Sequence, residues 1–324
     1  MDERDSNGGA GQQNGGLTAG AGVYAIAPEL DPPFDVIEPE FLTSPLVFSS
    51  PHSGCVYPEH FIKAARLDAL TLRRSEDAFV DQLFLPSLAV GAPMLRAHFP
   101  RAYLDVNREP FELDPRMFEG RLPSHANTRS IRVAGGLGTI ARIVSESQEI
   151  YAGRLPVAEA IRRIEGLHRP YHQALHKLME RSWRRFGLAV LVDCHSMPSA
   201  NLLAEAGLRS DERPRADVVV GDRYGTSCDA SFVDCIDSEL RALGYRVLRN
   251  KPYAGGYITE HYGAPSMGRH AVQVEFNRAL YMNEIEIARN DNFDALSRDI
   301  ATVMERLAAY VANDLGAAGA AAAE

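Results

Sequence analysis

Short apolar runs that each close on a cluster of polar side chains restrict this chain more than any other feature does. Leu46-Val47-Phe48-Ser49-Ser50 leads into Pro51-His52-Ser53-Gly54, and Leu188-Ala189-Val190-Leu191-Val192 leads into Asp193-Cys194-His195-Ser196. Asp217-Val218-Val219-Val220-Gly221 and His270-Ala271-Val272-Gln273-Val274-Glu275 repeat the pattern. Continuous apolar runs of this length suit strands covered on both faces. Helical stretches alternate with them, over 158–186 and 293–315. In the second, Asn292 is placed to cap the start, and Leu296, Ile300, Val303, Met304, Leu307 and Val311 recur at helical spacing. Alternating strands and helices predict an α/β sandwich, whose sites form at the carboxyl ends of strands. The polar clusters fall there.

Composition closes off several function classes. The 324 residues are 45% apolar and 24% charged, with a net charge of −9. No basic block stands apart from acidic neighbours, and Arg162-Arg163 and Arg184-Arg185 read as the solvated face of a helix, so nucleic acid is not an expected partner. No run approaches the ~18 apolar residues of a membrane helix. Cys55, Cys194, Cys228 and Cys235 lack CxxC spacing, which argues against a disulfide framework or a cysteine-only zinc site. The acidic, glycine-rich start is unlike a secretion signal, and the cytoplasm is the expected compartment. Residues 1–22 and the Ala-rich 316–324 are expected to be disordered, leaving one domain over 23–315.

The residues that carry chemistry lie at the strand ends. His52 and His195 are imidazoles suited to two positions of a catalytic zinc, which takes three protein ligands and keeps one position open. Ser75-Glu76-Asp77-Ala78-Phe79-Val80-Asp81 offers carboxylates for the third. If that stretch opens a helix, Asp77 and Asp81 share a face. Arg101 and Asp105-Val106-Asn107-Arg108 suit recognition of a planar anion through a guanidinium fork. Gly255-Gly256-Tyr257-Ile258-Thr259-Glu260-His261-Tyr262-Gly263 reads as a loop whose glycines permit positive φ and close backbone approach to a ligand. Glu275, at the end of an apolar strand, is a carboxylate that burial would tune towards a useful base. His168, His172 and His176 recur every four residues but accompany Pro170, Tyr171, Leu175 and Leu178, and read as packing or supporting groups. Cys194 reads as a core cysteine. Ser53 and Ser196 lie in no G-x-S-x-G elbow.

Taken in order, Pro51-His52-Ser53-Gly54, Asp77 with Asp81, Asp105-Val106-Asn107-Arg108, Arg169-Pro170-Tyr171-His172, Asp193-Cys194-His195-Ser196, the Gly255–Gly263 loop and Val274-Glu275 resemble the N-formylglutamate amidohydrolase family over about residues 40–285. That family is more distantly similar to zinc carboxypeptidases and aspartoacylase-like deacylases. The resemblance implies a single-domain, three-layer sandwich whose mixed, mostly parallel sheet carries helices on both faces, as in zinc carboxypeptidases. It implies Zn2+, or another divalent transition metal, on His52, Asp77 and His195, with Glu76 or Asp81 as alternatives to Asp77. It implies Glu275 as general base, assisted by Arg108, with the substrate held by Asn107, Arg108, Arg101, Gly256, Tyr257 and Tyr262. The implied reaction is hydrolysis of an N-formyl or N-acyl amino acid, first of all N-formylglutamate to glutamate and formate. A zinc peptidase or amidase acting on peptides, or a non-catalytic protein that binds an acidic metabolite, are the alternatives. The expected partner is a small acidic N-acyl amino acid, with self-association left open. Two departures stand out. Glu260 occupies a position where the resemblance leads one to expect Arg, and Leu113–Ile150, with Arg129 and Arg132, is hard to match.

Overall fold

In the computed structural model, which describes residues 26–144, 148–199 and 216–321, the apolar runs become the inner strands of one sheet. Its strands are β1 (Phe34–Ile37), β2 (Leu46–Ser50), β3 (Met94–Ala97), β4 (Ala189–Met197), β5 (Val218–Gly221), β6 (Val247–Arg249) and β7 (Arg269–Asn277). Across the sheet they run β1-β3-β2-β4-β7-β5-β6. β2 lies parallel to β3 and β4, β4 parallel to β7, and β5 parallel to β6. β1 against β3 and β5 against β7 are antiparallel. This is the mixed, mostly parallel sheet that was expected.

The helices that matter to the site are α1 (Val80–Phe84), α2 (Val157–Arg163), α3 (Arg169–Phe186), α4 (Ala230–Ala242), α5 (Tyr257–Tyr262) and α6 (Phe293–Ala321). Successive strand residues point to opposite faces, so each apolar run feeds two cores. Val47, Ala189, Leu191 and Ala271 meet Tyr171, Leu175, Leu178 and Met179 of α3 on one side. Leu46, Phe48, Val190, Val192, Val272 and Val274 meet α4 and the Leu296, Ile300, Val303, Met304, Leu307 and Val311 stripe of α6 on the other. The result is a three-layer sandwich.

Several expectations need correction. The stretch 158–186 is not one regular helix: a π-helical turn, Ile164–His168, joins α2 to α3. Pro170 falls in the first turn of α3, directly after that π-helical turn, the kind of local adjustment by which a helix passes a residue without an N–H. Arg163 is not on a solvated face. It is 1% exposed, donating to Glu159 Oε1 (2.7 Å), the Tyr103 carbonyl (3.0 Å) and the Tyr151 hydroxyl (2.7 Å). Its guanidinium lies 3.8 Å from the centre of the Tyr103 ring. Helix α6 continues past residue 315 to Ala321, as the strong helix propensity of alanine allows. Residues 1–22, expected to be disordered, lie outside the described residues.

One correction positions the site. Asp193-Cys194-His195-Ser196 does not follow its strand but belongs to it, since β4 runs on to Met197. Asp193 and His195 therefore keep the parity of Ala189 and Leu191 and face the α3 layer, while Cys194 points into the opposite core. The β4–β7 register sets Gln273 beside Asp193 and Glu275 beside His195.

Candidate active site

Three buried side chains converge at the carboxyl ends of β2 and β4. His52 follows β2, His195 lies within β4, and Asp77 is drawn in because its N–H donates to the His52 carbonyl (3.0 Å). Asp77 Oδ2 lies 3.4 Å from His52 Nδ1 and 2.9 Å from His195 Nδ1. All three candidate ligand atoms fall within 4.8 Å of one another. A tetrahedral zinc with bonds of ~2.0–2.1 Å separates its ligand atoms by about 3.3 Å, a spacing these distances bracket. Among the described residues nothing hydrogen-bonds the buried His52 Nδ1. A buried, unpartnered imidazole nitrogen aimed at a carboxylate and a second imidazole fits a metal ligand.

The far side of each candidate ligand is held by a charged group. His52 Nε2 lies 2.7 Å from Asp105 Oδ1, and His195 Nε2 lies 2.9 Å from Asp193 Oδ2. Asp77 Oδ1 accepts from Arg278 Nη2 at 3.0 Å. Carboxylates on the outer ring nitrogens keep those nitrogens protonated and turn the Nδ1 lone pairs inward, as second partners of metal-bound histidines do. Burial alone would raise the Asp77 carboxyl, but the His195 bond and the nearby His52 ring hold it well below the usual range. Burial likewise opposes ionised Asp105, and His52, Arg108 and Arg101 outweigh it. For His195, burial disfavours the imidazolium, yet Asp193 and Asp77 raise its pKa well above the ordinary histidine value.

Glu275 borders a cleft of two lobes, about 240 and 260 Å³, that meet at Arg101, Tyr253 and Glu275. Burial pushes its carboxyl up to about 7, against the pull of the adjacent His195. Gln273 Nε2 donates to Glu275 Oε1 at 2.7 Å, and Gln273 Oε1 accepts the Gly256 N–H at 3.0 Å. The smaller lobe is lined by His52, His195, Asn107, Arg101, Arg108 and Arg132 on one side and by the Pro252–Gly256 loop on the other. That loop turns through Gly255 at φ +129°. At Gly256 a Cβ would sit 2.2 Å from Asn107 Oδ1, so only glycine permits the approach.

The sequence-derived residues divide by position. His52, His195, Asn107, Arg108, Arg101, Gly256 and Glu275 all line the smaller lobe. Asn107, however, is already engaged: its Oδ1 accepts the Ile258 N–H (2.8 Å) and its Nδ2 donates to Asp193 Oδ2 (3.2 Å). Arg108 uses Nε on the Leu137 carbonyl and Nη1 on the Asn107 carbonyl. Of the three carboxylates considered for the third ligand, Asp77 joins the histidines. Glu76 turns to Arg73 and Tyr57, and Asp81 to Arg96. Asp77 and Asp81 do not share a helix face, because Phe79 adopts a left-handed conformation and α1 begins only at Val80. Tyr257 and Tyr262 do not enter the cleft, contrary to expectation. α5 turns them towards α3, where the Tyr262 ring stacks on His172 and Tyr257 packs against His168, His172 and His261. His168 and His172 support the site from beneath, their Nε2 atoms bonding the Arg108 and Val106 carbonyls at 2.9 and 2.8 Å. Sequence reasoning left Asp193, Gln273 and Arg278 without roles, and grouped Asp105 with the anion-recognising residues where the structure sets it behind His52. The period-2 spacing of Asp193 with His195 and of Gln273 with Glu275 was the available signal for two of them. Arg278 had none.

Residues 44–282 match the model of the N-formylglutamate amidohydrolase family. An N-formylglutamate deformylase of Pseudomonas putida is 29% identical over 245 residues, 75% of this chain and 83% of that protein. The crystal structure of an N-formylglutamate amidohydrolase from Ralstonia eutropha JMP134 superposes with a TM-score of 0.81 at 40% identity, covering 87% of this chain and 99% of that one. A gene product of Agrobacterium tumefaciens, Atu2144, shares the fold at a TM-score of 0.60 and 17% identity, covering 86% of this chain and 95% of that one.

Proposed function

This chain belongs to the N-formylglutamate amidohydrolase family, and from that premise we propose that it is a zinc-dependent hydrolase that cleaves N-formylglutamate to glutamate and formate. The observation that carries the metal dependence is the inward convergence of His52 Nδ1, Asp77 Oδ2 and His195 Nδ1, each backed by a charged group. Bound there, a zinc ion supplies a Lewis acid for the amide carbonyl and lowers the pKa of water towards ~7.

The chain's own residues do the rest. Glu275 takes the proton of the attacking water and returns it to the departing amine nitrogen. A carboxyl tuned by burial to about 7 exchanges protons near neutral pH, and Gln273 occupies Oε1 so that Oε2 remains for the transfer. Arg108 is braced by two carbonyls, and its Nη2, 3.8 Å from Asp105 Oδ2 and so beyond a hydrogen bond, takes the substrate's α-carboxylate, with Arg101 beside it. Asn107 acts indirectly, holding the Gly256–Ile258 turn against Asp193 and thereby the His195 ring. Fixing the amide between Arg108 and Glu275 is a proximity effect.

The test is turnover of N-formyl and N-acetyl amino acids by metal-stripped and zinc-reloaded protein. Zinc-restored release of formate from N-formylglutamate is expected. A Glu275→Gln protein should bind zinc as the native chain does and lose roughly 10²–10⁴-fold in kcat. Equal activity with and without metal would remove the metal from the mechanism, and near-native turnover by Glu275→Gln would remove its base.

A further inference from the structure

The smaller lobe of the cleft holds more positive charge than one carboxylate requires. Arg101, Arg108 and Arg132 all line its roughly 240 Å³. Glu275, the acidic side chain among the described residues that line this lobe, is engaged by Gln273, and Asp105, which lines the neighbouring lobe, is committed to His52 and Arg101. Arg132 is the least engaged of the three arginines. It stands on a single helical turn, Ile131–Ala134, capped by Ser130, and its Nη1 lies 3.8 Å from Glu112 Oε2, beyond a hydrogen bond. Among the described residues that buried Glu112 oxygen has no hydrogen-bond partner either. The Arg132 turn is coupled to Arg108 through Leu137, whose N–H donates to the Arg132 carbonyl and whose carbonyl accepts from Arg108 Nε.

Position adds to this. Arg132 also lines a shallower outer depression with Arg223, Tyr257 and Glu260, so it stands at the boundary between the cleft and the surface. Glu260 itself is half-exposed, paired with Arg223 at 3.2 Å, and does not line the inner lobe. The guanidinium available at the mouth is therefore that of Arg132.

We propose that Arg132 is a specificity-determining residue that recognises the side-chain carboxylate of an acidic N-acyl amino acid at the cleft mouth. This rests on the hydrolase reading above and deepens it. Arg108 and Arg101 take the α-carboxylate, and Arg132 takes the second one, releasing its distant contact with Glu112 to form a charge-assisted pair. A substrate with a neutral side chain gains nothing from Arg132.

The experiment compares native protein, Arg132→Gln and Arg132→Lys on N-formyl-L-glutamate and its neutral near-isostere N-formyl-L-glutamine. Arg132→Gln should raise KM for formylglutamate roughly 10- to 100-fold with little change in kcat, and change kcat/KM for formylglutamine less than about threefold. Arg132→Lys should recover part of the loss, because it keeps the charge without the fork. Equal losses on both substrates, or no loss on either, overturn the proposal. If native protein hydrolyses neither, the hydrolase reading fails separately, and Arg132 is then judged by calorimetric binding of glutarate against its monoamide. Native protein should prefer glutarate, and Arg132→Gln should lose that preference; the same preference in both proteins, or none in either, overturns the assignment.

Discussion

Replacing Asp193 by Asn tests whether the charges behind the candidate ligands set metal affinity. Asp193 is fully buried, its Oδ2 lies 2.9 Å from His195 Nε2, and it also accepts from Asn107 at 3.2 Å. Asparagine conserves volume and an acceptor oxygen but removes the charge that makes His195 a more basic ligand. Loss of such a partner typically lowers metal affinity about 10- to 100-fold, or about 1.5–3 kcal/mol. The effect depends on pH, with a sign that follows from the electrostatics. In the metal-free protein His195 has a pKa raised well above its unfolded value. Its protonation therefore stabilises the metal-free fold fully below about pH 6.5, and that contribution is lost as pH rises through the folded value. Zinc must displace this proton, so native affinity climbs with pH. Without Asp193 the largest of the charges that raise the His195 pKa is gone while Asp77 and Glu275 remain, so the pKa falls and proton competition weakens. The deficit of Asp193→Asn should accordingly be smaller at pH 6.5 than at pH 9. Competition titration against a chromophoric chelator at both pH values measures it, with circular dichroism as the check on folding. A folded variant whose zinc Kd stays within twofold of native at both pH values would refute the reasoning.

Two further predictions concern the frame around the site. Burial lowers His168 to about 4 and His172 to about 3, so both are neutral in the fold while the unfolded chain protonates first as pH falls. Stability should drop between pH 6.5 and 4 by on the order of 3 kcal/mol for each, and urea midpoints of a His168→Gln/His172→Gln protein should vary less over that range than native ones; an unchanged slope would count against these histidines. Gly256→Ala places a methyl 2.2 Å from Asn107 Oδ1, forcing the loop or the amide to move. It should cost about 1–3 kcal/mol in thermal unfolding and weaken zinc binding through Asn107 and Asp193, whereas native stability and affinity would show that the loop yields freely.

Much of this protein was legible in one dimension. The apolar runs announced the strands, because a strand covered on both faces needs no polar residue along it. His52, His195 and Glu275 stood out because polar groups at the ends of such runs lose solvation unless they have work or partners. The spacing of Leu296 to Val311 foretold the helix that closes one layer. Local pattern failed where the deciding contact was distant in the chain. Arg163 reads as a surface arginine until Tyr103 and Tyr151 are folded over it. Asp193 and His195 read as following their strand until pairing with β7 extends it.

The sequence by itself determined the alternation of strands and helices, the family, and the side chains from which a site could be built. Only the tertiary structure decided which of Glu76, Asp77 and Asp81 meets the histidines. That choice depends on a backbone bond from Asp77 to His52 and on the left-handed turn at Phe79, and no spacing rule encodes either. It also decided that Asn107 braces the site and that Tyr257 and Tyr262 turn away from it, while Arg132 reaches the mouth of the cleft. The reason is physical: periodicity records which face of an element is buried, whereas the convergence of charged groups depends on how separate elements are docked.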